Sequence, residues 1–444
     1  MKIKVDRILG IEILIVLLIT NYMFVTVICK DNFVLKYSRD VILLLLIIVG
    51  LKGKKENTVW NTKAVVISIL LFCIMFVFAI LKTESVQVVL VTFRKYFFPL
   101  AFLFALNRIN LVQYQKRLFK FLVLFFSILS FWGIFQALIL GDSFLRKLGY
   151  PVVYSYYYQR DMLYNSFYFG GLGIQRVVAT LSSSNSCALA LGVTLIFLLV
   201  NNQNVCVRWK KMRYFVITMA FLLTYSRSNF LALLLTVLIF GFKYIPYKKQ
   251  IGISVIVLGL TIVIIGIYQG ETGIFYKLLI WIESSVKFTD SSAAGRSGIW
   301  QDALQQALKS PFGIGLGHVG SVATNTGVSD LVFSCENSYL TIALDTGWIG
   351  LAGYSGFLIY LLRYLWMNSK KYKKMHDFVG YRICVSATMI LSYLIIVMFF
   401  SNHIQNMETM CLVYLYIGMA LSYISNKRNN GVEKFDKMGS AIQL

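Results

Sequence analysis

Charge is scarce in this chain, and negative charge is scarcer still. Only 14% of its residues are charged, and 43 lysines and arginines stand against 19 aspartates and glutamates. That is too little polar surface to cover a soluble enzyme of 444 residues, so that class is excluded. Histidine is rare as well, with only His318, His376 and His403. No D-x-D, H-x-x-H, H-E-x-x-H, G-x-x-x-x-G-K-[ST] or G-x-S-x-G pattern occurs, which leaves a metal- or nucleotide-dependent mechanism unsupported. The seven cysteines lie mostly in apolar runs without a C-x-x-C pair, so neither a disulfide framework nor a zinc site is expected. Only Cys187 and Cys335 fall where an outer-surface bridge is conceivable.

What is abundant is apolar surface, with 58% hydrophobic residues and a mean hydropathy of +0.71. This predicts an all-α, polytopic membrane protein, a single membrane domain over residues 1–444 in a lipid bilayer. Runs long enough to cross ~30 Å of hydrocarbon occur near 8–28, 34–51, 63–81, 86–106, 118–140, 184–201, 251–268, 347–366, 382–402 and 408–425. The first follows Lys2, Lys4 and Arg7 without a small-residue cleavage site after it, and reads as a retained anchor. Two shorter runs, 214–226 and 228–243, lie between basic flanks and read as a hairpin, giving about twelve transmembrane helices.

With both termini cytoplasmic, about 28 of the 43 Lys and Arg fall inside and about 13 outside. The net charge of +24 then sets topology and does not point to nucleic acid. Two extracytoplasmic segments are much larger than the rest: 141–184, rich in tyrosine, and 269–336, with Ser, Thr and Gly. Residues 426–444 form a cytoplasmic tail. No repeat relates the two halves, which counts against a repeat-built transporter.

Each half of the hairpin has about 13 to 16 residues, or roughly 20 to 24 Å of helix, so its Ser226-Arg227-Ser228-Asn229 tip is expected to sit recessed in the outer leaflet. An arginine at that depth needs a carboxylate, carbonyls, water or a ligand phosphate. Arg94 and Lys95 interrupt the fourth span and need partners too; Asp345 and Glu408 are the candidates, with a donor-lipid contact as the alternative for Arg94. Arg176 precedes Ser182-Ser183-Ser184-Asn185, where Asn185 suits a helix N-cap. Arg296 opens an amphipathic stretch to Lys309, in which Trp300 reads as a packing anchor. Pro311 ends it, and Gly313, Gly315 and Gly317 permit a tight backbone path. Thr346-Gly347 interrupts the next apolar segment, so a short helix from Ser338 to Asp345, capped by Asn337, is expected before the span.

The ordered set of Arg296, Trp300, Pro311-x-Gly-x-Gly-x-Gly317 and Glu336-Asn337-x-Tyr339-Leu340 resembles the large loop of the O-antigen polymerase and ligase superfamily. The Ser226-Arg227 turn and Arg176 extend this resemblance, which covers about Arg94 to Gly350. It implies a fold like the lipid-linked-sugar transferases of the GT-C type, in the plasma (inner) membrane. The implied reaction transfers a glycan from polyprenyl pyrophosphate to the terminal sugar of a lipid-linked repeat unit outside the membrane. Donor and acceptor are then the oligosaccharide-carrying lipids, and a chain-length regulator and a flippase are implied partners. Arg94, Arg176, Arg227 and Arg296 would contact pyrophosphate or glycan. Glu336 would serve the acceptor hydroxyl with His318 as rival base, and no metal or cofactor is called for. Many relatives, notably the ligases, carry His-Asn where this chain has Glu336-Asn337, which favours a polymerase over a ligase. From another class, a transporter of polysaccharide or lipid-linked oligosaccharide is the alternative.

Overall fold

In hydrocarbon every backbone N–H and C=O must be satisfied within the chain, so the long apolar runs fold as helices. The computed structural model describes residues 7–30, 32–51, 63–83, 85–150, 152–155, 160–163, 168–169, 174–202, 207–241, 291–320, 322–323 and 335–442. For 7, 33, 36, 51, 142, 152–155, 160–163, 168–169, 174, 241, 291–297 and 428–442 it describes the backbone alone. The crossing expected near 251–268 lies outside the described residues.

Helix α1 spans Arg7–Asn21 and runs on as a π-helical turn, Tyr22–Ile28. It is followed by α2 (Phe33–Leu51), α3 (Lys63–Leu81), α4 (Val86–Arg108), α5 (Gln115–Phe135) and the short α6 (Gly141–Leu148). Next come α7 (Ser184–Val200), α8 (Lys210–Leu222), α9 (Arg227–Thr236) and α10 (Ser291–Lys309). The chain closes with α11 (Ser338–Lys374), α12 (Phe378–Phe400) and α13 (Met407–Ile442). Among the described residues, seven helical stretches are long and apolar enough to cross a membrane. The other helices of the expected twelve are short (α7, α8, α9) or carry Lys36, Arg39 and Asp40 within the run (α2).

The segment 141–184 departs from an all-helical reading. After α6 it forms two antiparallel strand pairs, β1 (Val152–Ser155) with β2 (Arg160–Leu163) and β3 (Tyr168–Phe169) with β4 (Ile174–Gln175).

Helices α12 and α13 form the centre. Around them, α11 packs between α3 and α12, α4 lies along α13, and α7 and α9 lie on α12. Backbones approach closely where glycine permits: a Cβ on Gly353 of α11 would fall 2.7 Å from Ser68 O of α3. Buried tyrosines knit the core through their hydroxyls, as in Tyr354 with Tyr414 at 3.1 Å and Tyr416 with Thr194 at 2.9 Å. The opposite side of α3 shows Ile67, Leu70, Ile74 and Val77 at the surface, as a lipid-facing helix should.

Candidate functional site

Helices α8 and α9, of 13 and 10 residues, are joined by a turn over residues 223–226, but they do not pack along one another as the expected hairpin would: α8 lies on α5 and α7, and α9 on α12 and α7. Tyr393 of α12 donates to Asn229 Oδ1 at 2.7 Å. Tyr393 stands about two turns, roughly 10 Å, before the end of α12, so the turn is sunk below that end of the bundle.

Arg176 closes this turn. Its Nε donates to Thr224 O at 2.7 Å, and a terminal nitrogen reaches Asn185 Oδ1 at 3.3 Å and Tyr225 O at 3.4 Å. The carbonyls belong to the end of α8, where intrahelical partners run out. Tyr225 (φ 48°) and Ala179 (φ 55°) hold left-handed backbone nearby, at a cost of about 1–2 kcal/mol each. Arg176 and the Val177 N–H, which bonds Leu223 O at 2.9 Å, hold that shape. These three partners of the guanidinium are neutral oxygens. Arg227 follows as the first residue of α9, half-buried.

Asn185 is not the cap expected. Ser183 caps α7 by accepting from Ser186 N at 3.2 Å. Asn185 Oδ1 accepts instead from Arg176 and from Ser226 Oγ, the latter at 2.8 Å.

Hydrogen bonds tie four helix N-termini together here. The Ser226–Asn185 bond joins α9 to α7. Asn406 Nδ2 donates to Ser186 Oγ at 2.7 Å, joining α13 to α7, while Asn406 Oδ1 accepts from Thr409 N at 3.2 Å in the first turn of α13. Ser338 Oγ, at the start of α11, donates to Ser401 O and accepts from His403 N, both at 2.9 Å. Asn337 caps α11 as expected, accepting from Tyr339 N at 2.9 Å and Leu340 N at 3.1 Å. Each N-terminus presents roughly half a positive charge. Together with Arg176 and Arg227 they make this end of the bundle suited to an anion.

Glu336 and His318, both half-buried, come to the same place. His318 lies one residue, and Glu336 two residues, before a residue that holds the connection between α12 and α13, Ser401–Asn406. Ser338 holds one side of it, and Val319 O accepts from Gln405 Nε2 at 3.1 Å on the other.

The glycine-rich stretch is explained by packing. Gly313, Gly315 and Gly317 have φ of 76°, 102° and 92°, and a Cβ on Gly317 would fall 2.5 Å from Val88. Lys82 Nζ donates to Phe312 O and Gly313 O at 3.2 and 2.7 Å, pinning the loop to the α3–α4 turn. Its other side meets the kink of α11 at Gly347, φ 76°, where Trp348 N bonds Pro311 O at 3.0 Å. Helix α10 rests on α11 through Ala303 and Ala307, with Trp348 Nε1 donating to Ala307 O at 3.0 Å. Trp300 packs against Phe400, ring centroids 6.3 Å apart. Arg296 occupies the preceding turn of α10, and its side chain lies outside the described residues.

Arg94 is engaged differently from the expectation. Its partner is Asp40 of α2, with Nη1 3.0 Å from Oδ2; neither Asp345 nor Glu408 fills that role. Glu408 instead meets Arg39 at 2.5 Å, and Arg39 also lies 3.8 Å from Asp40. Asp345 accepts from Tyr96 Oη at 2.7 Å, with Lys95 as a nearby charge. The conceivable Cys187–Cys335 bridge is not formed: both are buried free thiols, and Cys335 Sγ donates to Asn337 O at 3.3 Å. Burial pushes the Cys335 thiol up to about 11. Among the described residues no group of three His, Cys, Asp or Glu comes together to hold a metal ion.

Sequence reading missed Tyr393 and the Ser401–Asn406 connection, and named Asn229 only as part of the recessed tip. The available signal was six residues, five of them polar, between two apolar spans. Residues 212–355 match the family model for O-antigen ligase. The match takes in the sunken turn, α10, the glycine loop and Glu336-Asn337, and it supports the O-antigen polymerase and ligase superfamily. No curated protein matches the chain.

Proposed function

We propose that this protein is a glycosyltransferase that polymerises a surface polysaccharide, taking a glycan from polyprenyl pyrophosphate and joining it to the terminal sugar of a lipid-linked repeat unit. The observation that carries this reading is the joining of four helix N-termini to Arg176 and Arg227 at a turn sunk into the bundle. A pyrophosphate anchored in the membrane by its lipid would meet positive potential at that depth. Lys370, Lys371, Lys373 and Lys374 lie at the far end of α11, which supports placing the site outside and that end in the cytoplasm.

In the proposed reaction an acceptor hydroxyl attacks the anomeric carbon as the bond from that carbon to the pyrophosphate oxygen breaks. Glu336 takes the hydroxyl proton. Arg176 and Arg227, with Arg296 from α10, stabilise the charge that builds on the leaving pyrophosphate, as a divalent ion does elsewhere. Arg94, ion-paired to Asp40, is assigned to the fold.

A ligase reading, in which finished glycan moves to another acceptor, is favoured by the description of the matching family. Surface glycan from a deletion strain separates the two. Collapse of the ladder to single repeat units supports the polymerase, and full-length but unattached glycan supports the ligase. A purified protein that moves lipid-linked substrate without consuming it would overturn both.

A further inference from the structure

We propose that the α12–α13 connection, with Trp300 of α10 beside it, is a binding subsite for the neutral hydroxyls of the acceptor glycan, separate from the cationic turn. This rests on the glycosyl-transfer reading and extends it to Asn402 and His403, which lie outside the family match.

The starting observation is a concentration of buried polar atoms that find no partner among the described residues. They are Asn402 Oδ1, both ring nitrogens of His403 and Trp300 Nε1. His403 is 1% exposed, while Asn402 and Trp300 keep part of their surface accessible. Leaving such a group unpaired costs about 1–3 kcal/mol, and buried polar atoms of this kind call for an explanation. A ligand that completes them supplies one.

The chemistry of the atoms selects the ligand. Trp300 Nε1 only donates, Asn402 Oδ1 only accepts, and a neutral imidazole offers one donor and one acceptor. Burial pushes His403 down to about 4, so the ring is neutral at ordinary pH. A phosphate would want donors alone, whereas a sugar hydroxyl both gives and takes a hydrogen bond. Rings at the end of α12 add apolar faces for a pyranose: Phe400 lies against Trp300, and Phe399 lies 4.5 Å from Tyr339 between ring centroids.

The connection is also held rigid, by Ser338, Val319 and Ser186 from three other elements. Such preorganisation lowers the ordering cost of binding. Ser338, which bonds His403 N, lies two residues after Glu336. The subsite therefore adjoins the segment of chain that carries the proposed base.

The test uses the full-length protein in detergent, with oligosaccharide repeat units released from the producing cell's own surface glycan as the free probe and lipid-linked repeat units as substrate. His403→Phe keeps a ring and removes both hydrogen-bonding nitrogens; Asn402→Ala removes the acceptor from a part-exposed position; His403→Gln restores a donor and an acceptor. His403→Phe and Asn402→Ala should each weaken probe binding and raise the KM for acceptor about 10-fold or more. The KM for donor and the melting temperature should not change, and His403→Gln should recover part of the loss. Unchanged probe affinity and acceptor KM in both variants overturn the subsite, including the case in which melting falls because the nitrogens hold only ordered water. If the wild type binds the probe, the variants lose it and lipid-linked substrate is never consumed, the subsite stands and the transferase reading fails.

Discussion

Two sets of arginines lie inside this bundle and are answered in opposite ways. Arg39 and Arg94 meet Glu408 and Asp40, so cation and anion cancel within the protein. Arg176 meets carbonyl and amide oxygens of the turn, and it does so where helix N-termini add more charge of the same sign. Among the carboxylates, Asp40 and Glu408 sit on Arg94 and Arg39, while Glu336 precedes the N-terminal cap of α11. Under the proposed function, the difference separates a structural intramembrane charge from one that serves a ligand: the kind of oxygen beside it is more informative than its depth.

The largest effect that would sharpen this division is expected at Glu336. Glu336→Gln should keep expression and fold but lower polymer formation by roughly 100- to 10,000-fold, because the amide cannot take a proton. His318→Ala should cost less in the same assay, and the reverse ranking would make His318 the base. Next comes the internal pair. Arg94→Met leaves Asp40 buried beside one cation fewer and should destabilise the protein by about 3–5 kcal/mol, read as a lower melting temperature in detergent. The double variant Arg94→Met/Asp40→Leu should recover most of that loss and keep turnover; a stable but inactive double variant would move Arg94 to the ligand-facing set. Arg227→Ala should show the converse, with normal melting and turnover reduced about 100- to 1000-fold.

The smallest effect is a pH slope. His403 is held down to about 4 by burial, from an ordinary value of 6.5. Between those values the unfolded chain binds a proton that the folded chain refuses, so stability should fall as pH falls from about 6.5 toward 4, by at most about 1.4 kcal/mol per pH unit. His403→Gln should flatten this slope in melting curves taken at pH 7, 6 and 5.

How much of this was legible in the sequence depended on whether the deciding contact was local. The cap at Asn337 was readable because it is settled within a turn of its own chain, and the interruption at Gly347 because glycine suits the φ of 76° that the kink adopts. The shortness of α8 and α9 was readable because helix length follows from residue count, whereas the partners they pack on were not. Arg94 could be seen to need a partner, but the partner sits on α2 and nothing in the spacing favours Asp40 over Asp345 or Glu408. Asn185 misled for a related reason: Ser183, two residues earlier, caps the helix, and Asn185 is used across the fold instead. His403 drew no attention because its burial is set by packing among separate elements.

The seam between the glycine loop and the kink of α11 has a consequence for building chimaeras. Ile314 N bonds Leu344 O at 2.7 Å, Trp348 N bonds Pro311 O at 3.0 Å, and a Cβ on Gly347 would fall on Pro311 O. The loop and the transmembrane helix are therefore cut to fit one another. An exchange of the large loop between relatives that stops at its apparent border, before α11, would bring together two halves of a joint shaped for different partners. The transplantable unit extends at least through Trp348.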